Sequence, residues 1–289
     1  MRIIHLSDLH FPTKLGITTL RGKSLLGYGN YFLRRKVKYP ENLWTGLVTY
    51  LSQMSYDALL ITGDLTNVSH PIEFERAYQN LAPLLDNKAF LIPGNHDRYK
   101  KEALAPEPLF EKFFGEWMGE VVGLRAFVRK KVIKDYVMLG WDSNKPMPPL
   151  VASGYVEPEV FSISKPILQK EKVILLCHHP LWNPGKKIES RSHRLKNRQE
   201  VAKFLSENPP LVYLHGHTHT NWFKEPGPIL PFPVVNSASS SRLTDNAHHS
   251  GFHLIQISAK GIQVERHVFV EGTWQETALQ RFQESEGVV

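Results

Sequence analysis

Short apolar segments that end in polar residues alternate along this chain with segments of helical periodicity. The strand-like segments are 2–6, 56–61, 89–92, 136–139, 173–177 and 211–214, and the helical segments are 41–54, 71–85, 109–119, 158–170 and 195–207. Regular alternation of strand and helix predicts an α/β fold. Segments 229–237, 251–258 and 262–270 are separated by Pro-rich turns and predict antiparallel pairs near the end of the chain.

No repeat or linker divides the 289 residues. The sequence therefore predicts one domain over residues 1–272, followed by a C-terminal tail over 273–289. Cys177 is the single cysteine, which excludes an intrachain disulfide and favours a reducing compartment. The first ten residues lack the basic and apolar regions of a secretory signal, and no apolar run approaches the length of a bilayer span. We therefore expect a cytoplasmic protein.

The basic charge of the chain is concentrated in one segment, residues 21–38. There are 35 Lys and Arg against 28 Asp and Glu, a net charge of +7, and the segment 21–38 carries six cations and no acidic residue. It also contains leucines and aromatic residues, so it suits either an interfacial helix on anionic lipid headgroups or a lid packed over the site. Peripheral attachment to the inner membrane face is thus one expectation. Phosphorylated anionic substrates are another class of partner that the charge allows.

Asp, Asn and His residues follow five of the predicted strands, where each strand ends. Open α/β sheets place ligands at the carboxyl ends of their strands, so we expect these side chains to converge. An i, i+2 spacing, as in Asp8/His10 and His217/His219, directs both side chains to one side if the strand continues. Carboxylate, amide and imidazole together suit Mn, Fe, Zn, Co or Ni better than Ca or Mg, and the lack of cysteine ligands argues against structural zinc. The sequence predicts a metal site.

At these residues the sequence resembles the calcineurin-like metallophosphoesterase superfamily. The blocks occur in order as Asp8-x-His10, Gly63-Asp64, Gly94-Asn95-His96-Asp97, His178-x-Pro180 and Gly216-His217-x-His219. The resemblance implies a four-layer α/β/β/α sandwich of two mixed sheets with two divalent metal ions at one edge. It assigns Asp8, His10 and His219 to the first ion, Asn95, His178 and His217 to the second, and Asp64 to both. Mn²⁺ is the ion expected first, with Fe, Zn, Co or Ni as alternatives.

The resemblance also implies the reaction, a phosphodiester or pyrophosphate hydrolysis by attack of a metal-bridging hydroxide. His96 would stabilise the reacting phosphate or protonate the leaving oxygen, and Asp97 would orient His96. His178 and His179 could each fill the fourth block, and the His-x-Pro spacing selects His178. A non-catalytic module on this fold should have lost ligands, whereas every block is intact.

The metal site by itself does not determine the substrate. Within segment 21–38, Lys23-Ser24-Leu25-Leu26-Gly27-Tyr28-Gly29-Asn30 is similar to a branch of the superfamily that resembles UDP-2,3-diacylglucosamine pyrophosphatases, which implies a nucleotide-lipid substrate. The alternative is a soluble, for example cyclic, nucleotide phosphodiesterase. A nuclease or basic nucleic-acid-binding protein would also explain the charge and predicts steeply salt-dependent binding. Nucleic acid is not favoured, because no recognition-helix, RRM or KH signature is present.

Overall fold

Sixteen strands and five α-helices alternate along the parts of the chain that the structure describes. The computed structural model describes residues 1–16, 38–125, 127–185, 189–244 and 250–289. The strands are β1 (Arg2–Leu6), β2 (Ala58–Ile61), β3 (Ala89–Leu91), β4 (Glu120–Val121), β5 (Val128–Ile133), β6 (Tyr136–Trp141), β7 (Val173–Cys177), β8 (Asn183–Pro184), β9 (Val212–His215), β10 (Trp222–Lys224), β11 (Val234–Asn236), β12 (Gly251–Ser258), β13 (Gly261–Val270), β14 (Thr273–Thr277), β15 (Arg281–Phe282) and β16 (Gly287–Val288). The helices are α1 (Glu41–Ser52), α2 (Pro71–Leu81), α3 (Leu109–Phe114), α4 (Pro158–Lys170) and α5 (Arg198–Glu207). The α/β class is confirmed.

Two mixed sheets contain most of the strands. One has six strands in the order β14-β13-β12-β1-β2-β3, and the other has eight in the order β15-β10-β11-β9-β7-β6-β5-β4. The strands β1, β2 and β3 are parallel, as are β6, β7, β9 and β11. The carboxyl ends of each parallel set therefore lie at one edge of its sheet.

The hydrophobic core consists of three layers. Between the sheets, residues of both pack together, among them Leu60 and Phe90 from one sheet and Leu176 and Val235 from the other. The helices α1, α2 and α3 cover the outer face of the six-stranded sheet, and α4 and α5 cover that of the eight-stranded sheet. These contacts make the α/β/β/α sandwich that the resemblance implies.

Several predicted elements match the structure and others differ for identifiable reasons. The segments 2–6, 173–177, 251–258 and 158–170 have the predicted bounds. The helix predicted over 109–119 ends at Phe114 and continues as a 3-10 turn from Gly115, in keeping with the weak helix propensity of glycine. Strand β5 was not predicted, because its three central cations hide the apolar pattern. Strand β11, predicted to be antiparallel, runs parallel to β9 and antiparallel to β10.

Residues 273–289, which the sequence places in a tail, pair with strands of the main fold. Strand β14 lies at the edge of the six-stranded sheet, where Trp274 is largely buried, and β15 pairs with β10 of the other sheet. Strand β16 pairs with β8. The end of the chain is thus in contact with both sheets.

Most of the basic segment 21–38 lies outside the described residues, and Lys38 alone belongs to them. The hypotheses of an interfacial helix and of a packed lid fall on that segment. In the part of the chain that the structure describes, no helix combines the length and apolar character needed to span a bilayer.

Candidate functional site

The predicted ligands lie where the carboxyl ends of the two sheets meet. Asp8 and His10 follow β1, Asp64 follows β2 and Asn95 follows β3 in the six-stranded sheet, whereas His178 follows β7 and His217 and His219 follow β9 in the eight-stranded sheet. The two groups are joined at the backbone, because the amide of His217 donates to Asp8 Oδ2 at 3.0 Å. Those two residues are 209 positions apart in the sequence.

Left-handed backbone conformations, and not continued strands, direct these side chains. Strand β1 ends at Leu6, so strand alternation does not reach Asp8 and His10. Positive φ angles occur at five of the seven predicted ligands: Asp8 (53°), His10 (42°), Asp64 (58°), His217 (70°) and His219 (55°). Such conformations cost about 1–3 kcal/mol each for residues other than glycine and are concentrated at functional sites.

Two of the predicted glycines are required by close approach. A Cβ atom on Gly94 would collide with the Asp64 carboxylate, and one on Gly216 would collide with Ser7 Oγ and Asp8 Oδ2. Glycine therefore lets these loops pack directly against two predicted ligands.

The first group of ligand atoms comprises Asp8, His10 and His219. Asp8 Oδ1 lies 3.2 Å from His219 Nε2, and the Nε2 atoms of His10 and His219 are 3.4 Å apart. All three ligand atoms fall within 4.8 Å of one another. Burial alone would raise the pKa of Asp8, but the neighbouring imidazoles of His219 and His178 hold it well below its usual value.

The second group comprises Asn95, His178 and His217. Asn95 Oδ1 lies 3.0 Å from His178 Nε2 and 2.9 Å from His217 Nδ1, and these two nitrogens are 3.3 Å apart. An amide oxygen and two imidazole nitrogens thus converge on one point.

Asp64 lies between the two groups. Its Oδ2 atom is 3.7 Å from His10 Nε2 and 3.4 Å from His178 Nε2. Its other oxygen, Oδ1, accepts a hydrogen bond from the backbone N–H of His96 at 2.7 Å. One carboxylate oxygen is therefore shared by both ligand groups.

Hydrogen bonds from the far side of three rings orient them for cation binding. Nδ1 of His10 donates to Thr66 O at 2.9 Å, Nδ1 of His178 donates to Thr62 O at 2.7 Å, and Nε2 of His217 donates to the carbonyl of His193 at 2.9 Å. In each neutral ring the other nitrogen, which faces the cluster, is then the one with a lone pair.

The electrostatics of the cluster also favour a cation. Burial alone would lower the pKa of His178, yet the Asp64 and Asp8 carboxylates raise it to about 9. The buried carboxylates therefore attract positive charge to the point where His178, Asn95 and Asp64 meet. The donor set and its charge fit two divalent metal ions.

The structure separates the two adjacent histidines. Both ring nitrogens of His179 have partners away from the ligand groups, with Nδ1 2.8 Å from Ser143 Oγ and Nε2 3.0 Å from Ala152 O. Burial lowers the pKa of His179 to about 3, so its ring is neutral. The structure brings His178, and not His179, to the cluster.

His96 lies beside the cluster and lines a cavity of about 400 Å³. Its ring contacts His10 edge-on, with ring centroids 4.8 Å apart, and its Nδ1 lies 2.6 Å from the carbonyl of Asn67. The backbone of Asn67 is held in turn by Glu73, whose carboxylate accepts the amides of Asn67 and Val68. A buried carboxylate at the start of α2 thus fixes the loop that orients His96.

Asp97, which the sequence predicts to orient His96, binds the backbone of the two loops that carry Asp64 and Asn95. Its buried carboxylate accepts hydrogen bonds from the amides of Gly94, Asp64, Leu65 and Thr66 and from the Thr66 hydroxyl, at 2.8–3.0 Å for the shortest contact of each. Burial and the charge of Asp64 raise the pKa of Asp97 to about 7, and the backbone donors oppose this shift. Four backbone amides donate to the group, which favours the ionised carboxylate. Asp97 holds together the two loops that carry Asp64 and Asn95.

One wall of the cavity lies outside the predicted ligand blocks. It consists of Ala152 and of residues 189–193, which we call the 189–193 wall. Glu189, Ser190 and His193 of this wall contact the cavity. Glu189 Oε1 lies 3.7 Å from His217 Nε2, and burial raises the pKa of Glu189 to about 7. These residues fall in a polar segment, and their contacts with His217 place them at the cavity.

The sandwich of two mixed sheets thus carries two groups of predicted metal ligands that share a carboxylate oxygen, and this fold and donor set fit the class of metal-dependent hydrolases. The family model of the calcineurin-like phosphoesterases matches residues 1–221, and the chain belongs to this family. The chain is therefore a metallophosphoesterase, an enzyme class that uses divalent metals and acts on phosphorylated substrates.

Known proteins similar to this chain agree with that assignment. A protein of Vesicomyosocius okutanii subsp. Calyptogena okutanii (strain HA) described as "Probable cyclic nucleotide phosphodiesterase" is 33% identical over 222 residues, which cover 74% of this chain and 83% of that protein. The purple acid phosphatase PPD1 of yellow lupin (Lupinus luteus) superposes with a TM-score of 0.57 at 12% identity, over 97% of this chain and 53% of the phosphatase. GAP50 of Plasmodium gives a TM-score of 0.56 at 12% identity, over 97% and 89% of the two chains. The two structures show the fold alone.

Proposed function

We propose that this protein hydrolyses a phosphodiester bond with two divalent metal ions, and that soluble nucleotide phosphodiesters, cyclic ones first, are its substrate class. The observation that carries the proposal is the Asp64 Oδ2 atom, which lies 3.7 Å from His10 Nε2 and 3.4 Å from His178 Nε2. A shared carboxylate between two sets of ligands is the arrangement that a two-metal phosphoryl-transfer site needs.

The predicted ligands divide between the two ions as the resemblance implies. Asp8, His10 and His219 would hold one ion, Asn95, His178 and His217 the other, and Asp64 both; Mn²⁺ is the ion to test first. Two such cations would neutralise phosphoryl charge and make hydroxide available from water near neutral pH.

This chain's own residues would position the substrate and move the proton. The Asn67 carbonyl fixes Nδ1 of His96, so a protonated His96 would present Nε2–H to the substrate. In that position the ring stabilises charge on the phosphate and delivers a proton to the leaving oxygen. The amide of His96 holds Asp64 Oδ1, so the same residue fixes the orientation of the shared carboxylate.

Two observations support a soluble diester over other phosphorylated substrates. The relative at 33% identity is described as acting on cyclic nucleotides. The cavity of about 400 Å³ is within the range of roughly 300–1,000 Å³ that is usual for small-molecule sites. Basic-aromatic segment 21–38 favours the second candidate, hydrolysis of the pyrophosphate of a nucleotide lipid such as UDP-2,3-diacylglucosamine at a membrane surface.

A substrate panel on the metal-free protein reconstituted with Mn²⁺ distinguishes these candidates. The panel holds a 3′,5′-cyclic nucleotide, a linear nucleotide diester and UDP-2,3-diacylglucosamine in detergent, each at equal concentration. We expect the wild-type protein to hydrolyse the diesters and to lose this activity when a chelator is added. Asp64→Asn should also abolish the activity, whereas Asp135→Asn, the same change at an exposed position, should keep it. Preferential release of UMP from the lipid would replace the first candidate with the second. Activity that survives both chelation and Asp64→Asn would refute the two-metal site.

A further inference from the structure

Beside the ligand groups, the 189–193 wall presents one side chain whose contacts fit the binding of a substrate anion. Nδ1 of His193 lies 2.9 Å from Ser190 Oγ and 3.0 Å from Ser192 Oγ, and the two hydroxyls are 2.9 Å apart. Within the described residues, Nε2 of His193 has no hydrogen-bond partner, and the residue lines the cavity. A serine hydroxyl that donates to Nδ1 places the proton of a neutral ring on Nε2, which makes this atom a donor.

The wall is held rigidly against the metal-ligand loops. The carbonyl of His193 accepts from Nε2 of His217, a predicted ligand, at 2.9 Å. The carbonyl of Ser192 accepts from the amide of Ala152 at 2.7 Å, across the cavity edge. The position of the His193 ring is therefore tied to the same ring that would hold one of the ions.

The charge of the segment around His193 also suits an anion. Arg194 and Lys196 follow His193 within three residues, and Lys196 is exposed. The acidic residue of the wall, Glu189, also contacts the cavity, where its Oε2 accepts from Asn183 Nδ2 at 3.1 Å and its Oε1 lies 3.7 Å from His217 Nε2. The 189–193 wall thus presents a hydrogen-bond donor to the cavity, and two basic residues follow it closely in the sequence.

We propose that His193 is a substrate-positioning residue that donates a hydrogen bond through Nε2 to a phosphoryl oxygen of the substrate, from the wall beside the ligand groups. The inference rests on the proposed function, since it names a further contact to the same phosphate. It assigns no proton transfer to His193. Its contact would form in both the ground state and the transition state, so its loss should raise KM more than it lowers kcat.

The test compares three substitutions of His193 in the Mn²⁺-loaded protein, with inorganic phosphate as the probe. Asn reaches about as far as Nδ1 of histidine and Gln about as far as Nε2. His193→Ala and His193→Asn should weaken phosphate binding, measured by calorimetry, and raise KM by about 10- to 100-fold, the range for a hydrogen bond to a charged group. His193→Gln should restore most of both, and kcat should stay within about threefold.

Two further measurements separate this role from a structural one. The affinity for Mn²⁺, titrated into metal-free protein, should be unchanged in all three variants, because the carbonyl that holds His217 belongs to the backbone. Arg191→Ala, in the same loop and outside the cavity lining, is the matched control and should bind phosphate like the wild type. Unchanged phosphate affinity in His193→Ala, a parallel loss of Mn²⁺ affinity, or an equal loss in Arg191→Ala would each overturn the proposal. If the wild type hydrolyses no diester while His193→Ala still loses phosphate affinity, the proposed function fails and this inference stands.

Discussion

Replacing Asp97 by asparagine tests how the two metal-ligand loops are held together. The Asp97 carboxylate is 0% exposed; its Oδ2 atom accepts the amides of Gly94 at 2.9 Å and Asp64 at 2.8 Å, and its Oδ1 atom accepts two further amides and a hydroxyl. Asparagine keeps one acceptor oxygen and presents an NH₂ group in place of the other. Whichever way the amide turns, at least two buried backbone N–H groups then face a donor.

The expected cost follows from these contacts. A buried donor without an acceptor costs about 1–3 kcal/mol, so two cost about 2–6 kcal/mol. Relief of the repulsion between Asp97 and Asp64 offsets part of this, which places the expected loss of unfolding free energy at about 2–4 kcal/mol. Because Asp64 and Asn95 lie on the loops that Asp97 joins, the affinity for Mn²⁺ should also fall, by about 10- to 100-fold.

Urea unfolding of the metal-free protein measures the first effect, and calorimetric titration with Mn²⁺ measures the second. Asp135→Asn makes the same chemical change at an exposed position and should alter neither. An Asp97→Asn protein that unfolds within about 0.5 kcal/mol of the wild type and binds Mn²⁺ normally would refute the reasoning.

Three other predictions address catalysis, the C-terminal contact and pH. His96→Ala should lower kcat by about 10²- to 10⁴-fold while calorimetry still shows two bound Mn²⁺ ions, and normal turnover would exclude His96 from the chemistry. Lys224→Met removes the ammonium 3.2 Å from the buried carboxylate of Glu284 and leaves that charge unpaired. The unfolding free energy measured in urea should fall by about 3–5 kcal/mol. A change under about 1 kcal/mol would show that the ion pair does not stabilise the fold. Burial and the charge of His215 lower the pKa of His5 to about 3, and burial also lowers the pKa of His253. Both rings therefore resist protonation in the folded protein, whereas in the unfolded chain they accept protons near pH 6.5. The stability that the two neutral rings contribute is therefore complete above pH 6.5 and is lost as the pH falls below it. His253→Leu should reduce the slope of unfolding free energy against pH by about 1.4 kcal/mol per pH unit below pH 6. An unchanged slope would contradict this.

The sequence could locate the residues that converge at the site because local signals mark them. Asp64, Asn95 and His217 each come directly after a short apolar strand, and glycines stand beside them where close approach requires it. Strand β5 was missed for the opposite reason, since its central cations are only partly buried and break the apolar pattern. The strands of 273–289 were missed because their pairing partners lie far away in the sequence.

The sequence by itself determined the α/β class, the order of the polar blocks and the residue types that converge. Only the tertiary structure decided which ring nitrogen each histidine presents, what Asp97 binds and that the 189–193 wall lines the cavity. The physical reason is the sequence separation of the residues that interact. Strand and helix periodicity and glycine turns are set by neighbouring residues, whereas ring orientation depends on hydrogen bonds such as that from His178 to Thr62 O, across 116 residues, which exist only once the two sheets have packed.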